Sequence, residues 1–144
     1  MKKFYIAFYM LVLSCIAFGQ QTSPLFDGVE VSSKKLQIYL NSQLSADFKK
    51  VLSQFPKEEY LSYSHGVVGV VVIQYAIDVD GSVVDTKIFQ SAHPLLDAEV
   101  LRIFNSMPKE LWTPAFNRGK PVKTHGMIYM VPFYLIEEED DKGQ

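Results

Sequence analysis

The clearest alternation along this chain runs from Val67 to Val79. Val71, Ile73, Tyr75, Ile77 and Val79 fall on one face and are all apolar. Val70, Val72, Gln74, Ala76 and Asp78 fall on the other and turn polar toward the end. A period of two with one apolar face predicts an antiparallel strand lying on a helix layer. Asp80-Gly81 follows and suits a tight hairpin turn, because glycine accepts positive φ without a steric cost. Val83 to Gln90 is then the partner strand. The period changes at Pro94, where Leu96, Val100, Ile103, Phe104 and Met107 repeat at helical spacing. Pro94 fits a first helical turn, Asp97 and Glu99 complement its dipole, and Pro108 stops the helix. Trp112 to Pro121 reads as an irregular connection. Val122 to Leu135 alternates again and predicts a last strand. Pro132 cannot donate to a ladder, so that end belongs at an edge or a bulge.

Upstream, Leu36, Leu40, Leu44, Phe48, Val51, Leu52 and Phe55 form a helical stripe, with Ser45 placed to restart the helix after a break. Gln20 to Ser33 shows no periodicity and reads as a flexible lead-in. The expected fold class is α+β. A three-stranded antiparallel sheet (β-β-α-β) packs against helices, with an additional N-terminal amphipathic helix. The expected segments are a signal peptide over 1–19, a lead-in over 20–33, a domain over 34–136 with its core at 66–135, and an acidic tail over 137–144.

The signal reading rests on Lys2-Lys3, the apolar run from Phe4, and Ala17-Phe18-Gly19 before Gln20. The apolar stretch is shorter than the roughly 20 residues needed to span a bilayer. Export to the periplasm through a cleaved signal is therefore expected. Membrane anchoring, through an uncleaved signal or a lipidated Cys15, is the alternative. Cys15 is the only cysteine of the 144 residues, so an exported product cut at Gln20 has no disulfide and relies on packing.

The chain carries 14 basic and 16 acidic residues, with no basic patch above background. That excludes nucleic acid as an expected partner. The three histidines, His65, His93 and His125, are not at metal-ligand spacing. Asp78, Asp80 and Gly81 resemble the start of a calcium loop but lack its downstream glutamate. Glu137 to Asp141 is a run of acids of the kind that forms a solvated tail. No phosphate loop opens a helix, and no serine or cysteine sits in a nucleophile motif. No catalytic, cofactor or metal site is predicted, and the chain is expected not to be an enzyme.

Taken in order, these marks resemble the C-terminal domain of TonB. They are Gly66-x-x-Gly69, the valine-rich strand, Asp80-Gly81-x-Val83, the helix, Pro108, Trp112-x-Pro114, Gly119-x-Pro121-Val122 and Pro132-x-Tyr134. The resemblance covers Gly66 to Leu135. It departs at Phe55-Pro56, where the family carries a Tyr-Pro pair, and at the front. There the long Pro-rich spacer of a full transducer is missing. What the resemblance implies is a periplasmic, non-catalytic binding module in transmembrane transport. Its last strand would take an extended segment of an outer-membrane TonB-dependent receptor or accessory protein as an added strand. By the same resemblance, the binding edge is Val122, Lys123, Thr124, His125, Gly126, Met127, Ile128, Tyr129 and Met130. The alternative is an envelope protein that self-associates into a homodimer through that strand, without receptor coupling.

Overall fold

A computed structural model describes residues 20–53 and 67–134. The signal segment, Cys15, Phe55-Pro56, His65, Gly66 and the acidic tail lie outside the described residues.

The fold is α+β. Its main sheet has three antiparallel strands: β3 (Val67–Ile77) in the centre, β4 (Val83–Gln90) on one side and β8 (Met127–Tyr134) on the other. This is the order expected from the hairpin and the returning last strand. On β3 the alternation holds, with Val71, Ile73, Tyr75 and Ile77 at 1% exposure or less. The predicted polar face is less polar than expected, since Val72 and Ala76 on it are also buried. The strand ends at Ile77, and Val79 is exposed in the turn. There the Asp78 N–H donates to the Ser82 carbonyl, and the Gly81 N–H donates to the Asp78 carbonyl. Gly81 adopts φ +87°. It is fixed by space as well as torsion, because a Cβ there would sit 2.6 Å from the Lys109 carbonyl oxygen. The hairpin tip is thus docked on the segment that leads to the last strand.

Among the described residues, three α-helices cover one face of the sheet. α3 (Pro94–Asn105) buries Leu96, Val100, Ile103 and Phe104 against it. The stripe expected between Leu36 and Phe55 forms two helices, α1 (Lys34–Gln43) and α2 (Ala46–Ser53). The break falls at Leu44-Ser45, and Ser45 Oγ accepts the Phe48 N–H and so caps α2. Leu36 and Leu40 are fully buried, and Phe48 meets Phe133 edge to face with centroids 5.8 Å apart.

Glu99 was expected to act on the helix dipole. It is instead the buried acid of α3. Its carboxylate accepts the Ser45 N–H at 3.0 Å and two Arg102 N–H groups. Arg102 also donates to the Gln43 carbonyl at 2.7 Å. Together they lock the α1–α2 break onto α3. The Arg102 hydrogen bonds hold the Glu99 carboxyl below the usual carboxylate range, against the desolvation that opposes them.

The segment 20–33 is folded onto the domain, which corrects the flexible reading. β1 (Leu25–Phe26) and β2 (Val29–Glu30) form a hairpin around Asp27-Gly28, both in the left-handed region at φ +47° and +75°. β1 pairs in turn with β5 (Trp112–Thr113). Phe26 is buried between Tyr39 and Trp112, with centroids 5.6 and 5.2 Å away. Trp112 is 4% exposed, donates its indole N–H toward Met107 Sδ, and tilts onto Tyr75 at 5.7 Å. The lead-in escaped the periodicity because two-residue strands have no period to detect.

Candidate functional site

The last strand was expected to run unbroken from Val122 to Leu135. The structure divides it. Val122 ends β7 (Lys120–Val122), which pairs with β6 (Ala115–Asn117) around Arg118-Gly119. Both turn residues have positive φ, +51° and +75°. Residues 123–126 form a link, and β8 starts at Met127.

The first half of the link is tied down. The Lys123 ammonium pairs with the Asp85 carboxylate at 2.7 Å, which raises its pKa. Thr124 continues the ladder: its N–H donates to the Ile77 carbonyl at 2.9 Å, and its hydroxyl oxygen accepts the Ile77 N–H at 2.8 Å. His125 and Gly126 are exposed. Gly126 adopts φ +59°, so its role is conformational, turning the chain into β8. A Cβ there would meet the Gln74 amide at 3.3 Å.

Pro132 determines which way β8 faces. It stands opposite Val70 in an unshifted register that pairs Val71 with Val131 and Tyr75 with Met127. Proline has no amide hydrogen, so the Val70–Pro132 pair is not a hydrogen-bonded one. By the alternation of an antiparallel ladder, Met127, Tyr129 and Val131 turn their backbone groups to β3. Ile128 and Met130 turn theirs outward. Ile77 accepting and donating toward Thr124 obeys the same alternation on β3. The side chains follow suit. Val131 and Phe133 are buried on the helix face, while Ile128 and Met130 are 51% and 65% exposed on the open face. Tyr129 is half-buried, and burial raises its hydroxyl pKa. Of the nine predicted edge residues, the structure therefore gathers Met127, Ile128, Tyr129 and Met130 on one edge. Val122 is paired in β7 and Lys123 with Asp85, while Thr124 donates its amide to Ile77 of β3.

β8 stands last in the sheet, and among the described residues nothing pairs with its outer side. The strand Met127–Tyr134 contains no charged residue. It is an edge whose outward amide and carbonyl groups, at Ile128 and Met130, no strand among the described residues pairs with. Pro132 interrupts the outward row, because it has no amide hydrogen to donate.

Beside the start of β8 lies a cleft of about 790 Å³. Residues 22–25 of the N-terminal arm, Glu30, Val31, Thr113, Pro114, Phe116 and Met127 line it. The arm is held across it by the Thr22 N–H donating to the Phe116 carbonyl at 2.8 Å and by the β1–β5 pairing. Among the described residues no group of His, Cys, Asp and Glu could hold a metal ion, and no helix is long and apolar enough to cross a membrane.

The family model for the Gram-negative bacterial TonB protein C-terminal matches residues 54–135. The chain belongs to the TonB C-terminal family. That membership places it among the domains of TonB-type transport and receptor interaction, which work in the periplasm. A similar solved structure is that of the TonB C-terminal domain of Helicobacter pylori, determined by NMR. The match is 19% identical, covers 76% of this chain and 100% of that one, and has a TM-score of 0.38. No curated protein matches. The matched segment of this TonB C-terminal chain holds all of β3 to β8. The arm with β1 and β2, and α1 and α2, precede it.

Proposed function

We propose that this chain is a non-catalytic binding module of the periplasm, exported by its N-terminal signal. It takes an extended segment of an outer-membrane receptor, or of a transport partner, as a fourth strand on β8. The observation that supports this most directly is the uncharged β8 edge, unshifted from Met127 to Phe133, with the outward backbone groups of Ile128 and Met130. An extended peptide satisfies those groups, and each hydrogen bond contributes about 0.5–1.5 kcal/mol. Specificity comes from alternate side chains.

The test is titration of the isotope-labelled protein with synthetic peptides copying the N-terminal segments of the outer-membrane receptors of the same cell. Amide shifts and slowed exchange at Ile128 and Met130 are expected. If no peptide shifts them and sedimentation instead shows a dimer that Ile128→Pro dissolves, β8 pairs with its own copy. The exposed Ile128 and Met130 would then meet across a two-fold axis.

A further inference from the structure

The cleft beside Met127 lies on the helix face of the sheet, where Val31 and Met127 both pack against the core. Residues opposite one another on neighbouring strands share a face. A segment added to β8 would therefore turn the side chain opposite Met127 toward this cleft. Its walls are mostly apolar: Pro24, Leu25, Val31, Pro114, Phe116 and Met127. Glu30 is the one charged residue that lines it, and it is exposed. The cleft also depends on residues 22–31, which precede the family-matched segment 54–135. The arm has thus added a feature to the domain that strand addition alone does not need.

We infer that this cleft is a side-chain specificity pocket, selecting a bound segment that carries a lysine or arginine opposite Met127. This rests on the strand-addition reading of β8. The apolar walls take the methylene stem of such a side chain, and Glu30 takes its charged head. An acidic side chain at that position meets Glu30 with like charge. A small one leaves the cleft unfilled.

The probe is an acetylated and amidated peptide of alternating threonine and valine with one variable central position, holding lysine, alanine or glutamate. Binding is followed by amide shifts of the labelled protein. All three peptides should shift Ile128 and Met130. The lysine peptide should in addition shift Val31 and Thr113, and bind about fivefold or more tightly than the glutamate peptide at low salt. Glu30→Lys should reverse that order and Glu30→Gln should erase it. Thermal melts should match the parent, since Glu30 is exposed. Peptides that shift Ile128 and Met130 alike but leave Val31 and Thr113 unmoved, with no lysine preference, would overturn the pocket and leave strand addition standing. Peptides that shift neither group would overturn both. A preference that survives Glu30→Gln would remove Glu30 from the recognition and overturn the charge selection.

Discussion

The main sheet has two edges, and they are built differently. β4 departs from regular pairing twice. Asp85 and Thr86 together stand opposite Tyr75, and Phe89 is an extra residue between the Ile88 and Gln90 pairings. Asp85 adopts φ +53°, which a non-glycine residue adopts only at a cost. Charges at Asp85 and Lys87 and a hydrogen bond from Thr86 to Asn105 of α3 occupy the same edge. Bulges, charges and a covering helix all discourage a further strand. β8 has none of these between Met127 and Val131. One edge of the same sheet is protected, and the other has no partner among the described residues.

The variants that probe this contrast differ in reach. Trp112→Ala should disturb both edges together, because the ring supports Tyr75 of the central strand and Phe26 of the arm. A loss of about 3–5 kcal/mol is expected by chemical denaturation. A parental midpoint would show that the ring is not part of the core. Thr124→Pro should unseat only the start of β8. It removes the N–H to Ile77 and the hydroxyl that Ile77 donates to, so about 1–3 kcal/mol should be lost. Ile128→Pro removes an outward amide from the same strand. It should change stability by less than about 1 kcal/mol while abolishing peptide shifts at Met130, because no ladder within the protein uses that amide. If Ile128→Pro unfolds the protein and Thr124→Pro does not, the outward assignment is inverted. Met130→Lys gives β8 the kind of charge that β4 already has. Peptide affinity should fall severalfold with an unchanged melting temperature.

The smallest effect concerns pH and touches neither edge. The folded Glu99 carboxyl titrates below its ordinary value of 4.5. Its contribution is complete above that value and is lost as pH falls through the lower folded one. Glu99→Gln should therefore flatten the acid side of a stability–pH curve and leave the neutral side's slope unchanged. An identical acid limb in parent and variant would show that Glu99 gains nothing from its Arg102 and Ser45 partners.

The parts legible in the sequence were those with a long period. β3 runs 11 residues and α3 runs 12, enough for alternation and a helical stripe to appear. Sheet order followed from the hairpin and the family pattern. The parts that were not legible are governed by single residues. Asp27-Gly28 carries the same dipeptide signal as Asp80-Gly81, yet its flanking strands are too short to support it by alternation. Arg118-Gly119 offers weaker chemistry still. The break before β8 depends on Gly126, which in a sequence looks like room for a neighbour and in the fold supplies a torsion. Glu99 looked like a first-turn acid. Its burial depends on Arg102 and on Ser45 far upstream, which spacing along one helix cannot reveal.

Phe26 against Trp112 joins two points far apart in the chain, whereas the β3–β4 hairpin and α3 form from neighbouring residues. Closing the longer loop costs more chain entropy, so the arm is expected to dock after the sheet has formed. Trp112 is the only tryptophan. Its emission therefore reports that last step without any label. Because the docked arm also forms a wall of the cleft beside Met127, the same optical signal marks the moment at which that cleft is complete.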